Sequence, residues 1–165
     1  MTDPITDLAA RLGAALNAAA ATVTTAESCT GGGIAEALTR IPGSSAWFGQ
    51  GWITYSNDAK RRELGVDHAV LRRQGAVSEE VVLQMAAGAR DRADSTWAVA
   101  VSGIAGPDGG SADKPVGTVW LAWAGPEGVV AERCLFAGDR EAVRRQTIEK
   151  ALSGLLLQMG VASPQ

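Results

Sequence analysis

The chain has 165 residues, the length of one compact domain, and we expect residues 1–165 to form a single domain. A net charge of −3 and a pI near 5.2 argue against nucleic acid as a general partner, since that role needs a basic surface. The single histidine, His68, argues against most Cys/His zinc sites and restricts any Ser-His-Asp triad to that residue. The only lysines are Lys60, Lys114 and Lys150.

Hydrophobic periodicity predicts elements in the order α-β-α-β-α-α-β-β-β-α. The predicted helices cover residues 5–20, 34–41, 56–64, 67–73, 78–92 and 139–159, and the predicted strands cover 22–26, 47–55, 97–101, 116–124 and 129–136. The continuous apolar run at 97–101 is typical of a central strand that is buried on both faces. We therefore predict an α/β fold, a three-layer α/β/α sandwich around a mixed β-sheet.

The amino-terminal residues do not have the basic and then apolar pattern of a signal peptide, and no run approaches the ~20 apolar residues of a membrane span. We therefore expect no membrane association. Cys29 and Cys134 do not form a CxxC pair. A disulfide between them is one interpretation, and the favoured one is a reduced chain in the cytoplasm.

The segment 25–33, TAESCTGGG, lies where a predicted strand passes into a predicted helix. The first N–H groups of a helix lack intrahelical acceptors and can hold an oxyanion, so the Ser28 hydroxyl would lie beside a site for an electrophile. The alternative is that Ser28 only caps the helix and the glycines only form a tight turn. Cys29 is a rival nucleophile, because a helix start lowers a thiol pKa.

Two further segments carry polar groups. The loop 103–110, GIAGPDGG, follows the predicted central strand, where ligands often bind, although it could be a mobile surface loop. In TYSNDAK, Lys60 could serve as a base to a serine if burial lowered its pKa, although most such lysines are solvated.

Arginines cluster near the start of the last predicted helix, at Arg140, Arg144 and Arg145. They could hold a phosphate or a carboxylate. The alternative, favoured from the residues alone, is a surface face formed with Glu141 and Glu149.

Five segments occur in this order: TVTTAESCTGGGIAEALTRIPGSSAWF, TYSNDAK, GAVSEEVV, VSGIAGPDGGSADKPVGTVW and GDREAVRRQ. Together they closely resemble the CinA C-terminal domain family from about residue 5 to residue 158. The resemblance implies the three-layer fold and hydrolysis of nicotinamide mononucleotide to nicotinate mononucleotide and ammonia. It also implies that Ser28 is the nucleophile and Lys60 its base, with Tyr55 as a helper.

Further expectations follow once the resemblance is accepted. We expect the N–H groups of Cys29, Thr30 and Gly31 to hold the oxyanion, and Arg140 with the loop 103–110 to bind the substrate phosphate. The substrate-binding candidates are Cys29, Thr30, Gly31, Gly32, Ser102, Gly103, Gly106 and Arg140. We expect no cofactor and no metal, and the family suggests a homo-oligomer. The alternative function is a binding or regulatory module linked to competence or DNA damage, without amidase activity.

Overall fold

The computed structural model describes residues 3–161, so the predicted domain of residues 1–165 extends beyond it at both ends. The helices are α1 (Pro4–Ala19), α2 (Gly33–Thr39), α3 (Asn57–Leu64), α4 (His68–Gln74), α5 (Glu79–Ala93) and α6 (Arg140–Gln158). The strands are β1 (Val23–Glu27), β2 (Phe48–Ile53), β3 (Trp97–Gly103), β4 (Thr118–Gly125) and β5 (Gly128–Leu135). The predicted order of these elements is confirmed, and one short 3-10 turn (Ser44–Ala46) was not predicted.

The five strands form one mixed sheet in the order β2-β1-β3-β4-β5. Strands β2, β1 and β3 are parallel, and β3, β4 and β5 are antiparallel. In the parallel part, Glu27 at the end of β1 lies between Ile53 on β2 and Val101 on β3. The carboxyl ends of three strands therefore meet at one edge, where ligands of open α/β sheets usually bind.

Helices cover both faces of the sheet, so the predicted three-layer sandwich is confirmed. Helices α1, α2 and α6 pack on one face, over Val99, Val101, Val119 and Leu121. Helices α3, α4 and α5 pack on the other face, where the strands present alanines: Ala26, Ala98, Ala100, Ala122 and Ala124. These small side chains allow α5 to approach the sheet closely, and α5 contacts all five strands.

None of the helices within residues 3–161 combines the length and apolar character needed to cross a bilayer. Both cysteines are free thiols, so the alternative of a disulfide between Cys29 and Cys134 is wrong.

Candidate active site

Ser28 directly follows β1, at the edge where the parallel strands end. Its main-chain N–H donates to Val101 O of β3 at 3.1 Å, which continues the ladder between the two strands by one residue. Its carbonyl oxygen then accepts the N–H of Gly31 at 3.0 Å and closes a tight turn. Gly31 and Gly32 have φ values of 58° and 101°, which favour glycine. We call residues 28–32 the nucleophile turn.

Lys60 comes to Ser28 from helix α3. The Ser56 hydroxyl accepts the Ala59 N–H and caps this helix, which places Lys60 one turn in. Its side chain is only 1% exposed, so the prediction of a solvated lysine from TYSNDAK alone is wrong. The Nζ atom lies 3.0 Å from Ser28 Oγ, 2.8 Å from Thr54 O and 3.1 Å from Tyr55 O.

The surroundings of Lys60 suit a neutral amine. Burial lowers its pKa to about 8. A neutral amine has two hydrogens, which match the carbonyl oxygens of Thr54 and Tyr55, and one lone pair, which can accept the Ser28 hydroxyl proton. The arrangement can therefore remove a proton from Ser28 without any group between the two side chains.

Glu27 occupies the opposite face of β1 from Ser28, because successive strand residues alternate. Its carboxylate is fully buried and accepts the Thr30 hydroxyl at 2.5 Å, the Ile34 N–H at 2.8 Å and the Ala35 N–H at 3.0 Å. Burial raises its pKa, and these donors oppose that shift. Glu27 thus caps α2 with the chain's own carboxylate, a role that the sequence analysis missed.

This cap changes the expected oxyanion site. The first N–H groups of α2 are taken by Glu27, and the Gly31 N–H is taken by Ser28 O. The expectation that the helix start is free to hold an oxyanion is therefore wrong, and the Gly31 N–H is equally occupied. The Thr30 N–H has no acceptor anywhere in residues 3–161. The Cys29 N–H also lacks an acceptor in this range, so Cys29 and Thr30 provide the two main-chain donors left for an oxyanion.

Tyr55 meets the site in two ways. Its carbonyl oxygen contacts Lys60 Nζ and also Ser28 Oγ, the latter at 3.5 Å. Its ring is 60% exposed, and its hydroxyl accepts a hydrogen bond from Arg140 at 3.1 Å. Because Ser28 and Lys60 touch directly, a proton relay through the Tyr55 hydroxyl is not needed between them.

Arg140 joins the β3–β4 loop to this site. It begins α6, behind the Asp139 cap, and it also donates to Gly106 O at 2.9 Å. Next to it, an open cleft of about 680 Å³ separates this loop from the start of α6. The lining residues are Ala105, Pro107, Val116, Gly138, Asp139, Arg140, Glu141 and Arg144.

Ser102 and Gly103 lie at the end of β3, beside the Val101 carbonyl that holds Ser28. Ser102 is buried on the α5 face, as Ala100 is. A Cβ at Gly103 would lie 2.5 Å from the Val119 side chain and 2.9 Å from Thr118 O. Packing against β4 therefore explains this glycine without a ligand.

Arg144 lies one turn into α6 and reaches the nucleophile turn. Its Nε donates to Cys29 O at 3.2 Å, and its second terminal nitrogen donates to Thr30 O at 3.1 Å. Arg145, in contrast, pairs with Asp3 and Glu149. The favoured interpretation, in which these arginines form part of the surface, is therefore confirmed for Arg145 and wrong for Arg144. The position of Arg144 in the sequence does not indicate its contact with the nucleophile turn.

Comparison with known proteins identifies the family of this chain. The CinA C-terminal domain model matches residues 5–159. The chain belongs to the CinA C-terminal domain family. It is 63% identical over 158 residues to the nicotinamide-nucleotide amidohydrolase PncC of Pseudomonas putida, covering 96% of this chain and 98% of that protein. The PncC of Escherichia coli K12 is 55% identical over 161 residues, with 96% and 97% covered.

A solved structure gives the same result for the fold. The competence/damage inducible protein CihA from Agrobacterium tumefaciens superposes with a TM-score of 0.92 at 46% identity, covering 97% of this chain and 98% of that one. The three-layer sandwich is therefore the fold of the CinA family.

Within this family fold, Cys29 does not have the properties expected of a rival nucleophile. Its side chain is 5% exposed and packs in the core beneath α2. Burial raises its thiol pKa to about 11, so the expectation of a lowered pKa is wrong. The physical reason is that α2 begins four residues later and directs its free N–H groups to Glu27.

The remaining sequence candidates lie elsewhere. Lys114 donates to Gln74 O, and Lys150 pairs with Glu132. His68 is exposed at the start of α4. No group of three or more potential metal ligands occurs within the described part of this CinA-family chain.

Proposed function

We propose that this chain is a nicotinamide-nucleotide amidohydrolase that converts nicotinamide mononucleotide and water to nicotinate mononucleotide and ammonia. The observation that carries the proposal is the 3.0 Å contact between Ser28 Oγ and the buried Lys60 Nζ. The names of the relatives at 63% and 55% identity supply the substrate class. Burial of a lysine lowers the free energy of unfolding. A catalytic role explains why the lysine is buried, whereas a binding module that catalyses no reaction does not.

Acylation begins with Lys60 as a neutral base. As Ser28 Oγ attacks the carboxamide carbon, its proton passes to Lys60 Nζ, and the electron pair of the C=O bond moves to the oxygen. The tetrahedral intermediate collapses, the C–N bond breaks, and Lys60 returns the proton to the leaving nitrogen. Ammonia leaves, and an ester joins Ser28 to the nicotinate group.

Deacylation repeats the same steps with water. Lys60 takes a proton from the attacking water, the ester C–O bond breaks, and the proton returns to Ser28 Oγ. The products are nicotinate mononucleotide and the regenerated serine. The Thr30 N–H, which has no acceptor among residues 3–161, supports an oxyanion contact in both steps.

The ribose phosphate of the substrate fits the cleft beside Arg140. The cleft has a size typical of small-molecule sites and is lined by two guanidinium groups, those of Arg140 and Arg144. The Tyr55 side chain is exposed and its hydroxyl contacts Arg140, which lines the cleft, so its ring offers a surface for the pyridinium ring. Of the earlier expectations, Arg140 is the proposed phosphate ligand, and the Gly106 carbonyl oxygen accepts one of its hydrogen bonds. Ser102 is buried and does not line this cleft.

The decisive experiment measures ammonia release from nicotinamide mononucleotide by wild type, Ser28→Ala and Lys60→Met. We expect both variants to lose activity by about 10³-fold or more, because nucleophile and base act as a unit. Cys29→Ala is the matched control for loss of a neighbouring nucleophile, and Lys150→Met for loss of a lysine. Near wild-type turnover by Ser28→Ala would exclude the covalent route, and an inactive but folded wild type would favour the regulatory alternative.

Assembly and location complete the proposal. We propose a homo-oligomer, to be tested by light scattering on the purified chain. The free thiols of Cys29 and Cys134 favour a reducing compartment, in agreement with a cytoplasmic enzyme.

A further inference from the structure

We propose that Arg144 is a positioning residue that orients the peptide between Cys29 and Thr30, so that the Thr30 N–H faces the reacting carbonyl group. This inference rests on the proposed function, because it assigns the device that sets the oxyanion donor of the same site. Arg144 would not itself touch the reacting atoms.

Arg144 contacts two successive carbonyl oxygens of the nucleophile turn. Arg144 donates two hydrogen bonds, at 3.2 Å to Cys29 O and at 3.1 Å to Thr30 O. A guanidinium group is planar and rigid, so one arginine that binds two successive carbonyl oxygens fixes the directions of both. Its own helix is anchored close by, since Val143 and Thr147 are fully buried. The contact therefore joins a rigid helix to a turn without regular structure.

The geometry of the peptide between Cys29 and Thr30 determines the direction of the Thr30 N–H. The Cys29 carbonyl and the Thr30 N–H belong to one planar trans peptide, so they point in opposite directions. With the oxygen held by Arg144, the N–H must face away from α6. Within residues 3–161 that N–H has no acceptor, although Thr30 is completely buried. A buried donor without an acceptor is costly, and the oxyanion of a bound substrate would supply the missing acceptor.

Among residues 3–161, Arg144 is the only hydrogen-bond partner of the peptide between Cys29 and Thr30. Gly31 N–H binds Ser28 O, and the Thr30 hydroxyl binds Glu27. The Gly33 N–H binds Thr30 O at 3.0 Å, so these three contacts hold the groups on either side of the peptide between Cys29 and Thr30 but not its own oxygen. Loss of Arg144 should therefore leave the turn in place and disturb mainly its oxyanion donor.

Arg144 also lines the cleft proposed for the substrate phosphate, which gives a competing role as a phosphate ligand. The two roles differ in what they need from the substrate. A phosphate ligand matters only when the substrate carries a phosphate. An oriented N–H matters for every carboxamide that Ser28 attacks.

The experiment compares Arg144→Ala with wild type on two substrates, nicotinamide mononucleotide and nicotinamide riboside, which lacks the phosphate. We expect kcat to fall about 10- to 100-fold on both substrates, somewhat less than loss of a whole oxyanion donor, with KM nearly unchanged. Millimolar guanidinium should restore part of the lost kcat of Arg144→Ala, and methylammonium should restore less. Arg145→Ala is the matched control, because it removes the same charge from the next position of α6.

A second readout does not depend on the substrate. The rate at which a fluorophosphonate labels Ser28, followed by intact mass, also needs an oxyanion donor, and it should fall in Arg144→Ala by a similar factor. If wild type is labelled but does not release ammonia, the proposed function is wrong. The labelling rates of wild type and Arg144→Ala then still test the role of Arg144. Three results would each overturn the inference. The first is a loss of activity that occurs only with nicotinamide mononucleotide and raises KM. The others are an unchanged labelling rate of Arg144→Ala and an absence of labelling in wild type.

Discussion

Glu27 and Lys60 are two buried ionisable groups on opposite faces of the end of β1. Burial moves both toward the neutral form, since it raises the pKa of Glu27 and lowers that of Lys60. Their partners differ. The Glu27 carboxylate receives one hydroxyl and two main-chain N–H donors, all of which favour the charged form. Lys60 contacts two carbonyl oxygens and one hydroxyl, a set that a neutral amine also satisfies.

Burial alone is therefore not sufficient for a side chain to act as a general base. The Glu27 carboxylate is occupied by donors of the chain itself. It contacts no reacting group from which it could take a proton. Lys60 contacts a hydroxyl that can give up its proton. The first group therefore stabilises the nucleophile turn, and the second is suited to proton transfer.

The pH dependence of stability tests whether folding neutralises Lys60. Folded Lys60 loses its proton near pH 8, whereas the unfolded side chain keeps it to about pH 10.5. Between these values the unfolded state binds more protons, so wild-type stability should rise with pH relative to Lys60→Met. Urea unfolding at pH 7 and pH 10 should show a change of roughly 2–3 kcal/mol in the difference between the two proteins.

The control for this measurement is Lys150→Met, since Lys150 pairs with Glu132 at the surface. Its difference from wild type should be nearly the same at both pH values. A Lys60→Met difference that is equally flat would mean that Lys60 keeps an ordinary pKa in the folded protein.

The pH dependence of turnover examines the same lysine by its chemistry. Because the neutral amine is the proposed base and its pKa is about 8, kcat/KM should rise with pH and level off above that value. The neutral fraction increases about 25-fold from pH 6.5 to pH 8.5 for such a group. Initial rates of ammonia release across this range measure the rise, and a rate that falls with pH would contradict the assignment.

Glu27→Gln probes the other half of the comparison. A glutamine keeps the size of the side chain, but it removes the charge and turns an NH₂ group toward N–H donors. We expect a loss of about 1.5 kcal/mol in the free energy of unfolding, as is usual when a buried donor loses a charged acceptor. Equilibrium unfolding in urea at pH 7 measures this loss.

Glu36→Gln is the matched control for Glu27→Gln, because Glu36 lies on α2, the helix that Glu27 caps, and its carboxylate pairs with Arg40 at the surface. It should cost much less. Equal losses in the two variants would show that the α2 cap contributes little beyond a surface ion pair.

The sequence predicted the order of elements and the layers, because periodicity and strand-length apolar runs are local signals. The family resemblance selected Ser28 and Lys60. Neither source could give their contact, since thirty-two positions separate them and only the parallel arrangement of β1 and β2 brings α3 to the end of β1. Lys60 looked solvated for the same reason: its burial depends on Thr54 and Tyr55, whose carbonyls no side-chain pattern reveals.

Glu27 and Arg144 show a second limit of sequence reasoning. A glutamate before a serine and an arginine in a basic helix are both common at surfaces, so neither pattern predicts a role in the site. Their roles arise from main-chain donors and acceptors in the nucleophile turn, at Ile34, Cys29 and Thr30. Main-chain groups are present at every position, so their use is decided by three-dimensional placement alone.

Tyr55→Phe gives the smallest expected effect and separates the main chain of Tyr55 from its side chain. The variant keeps the carbonyl oxygen that contacts Lys60, so the pH at which turnover levels off should not move. It loses the hydroxyl that accepts from Arg140, and a lost hydrogen bond of about 1 kcal/mol corresponds to a roughly fivefold decrease in kcat/KM. Rate profiles of both proteins measure the two quantities together. A shifted profile would mean that the phenol sets the proton affinity of Lys60, and the contrast with Glu27 would then depend on a side chain rather than on backbone carbonyls.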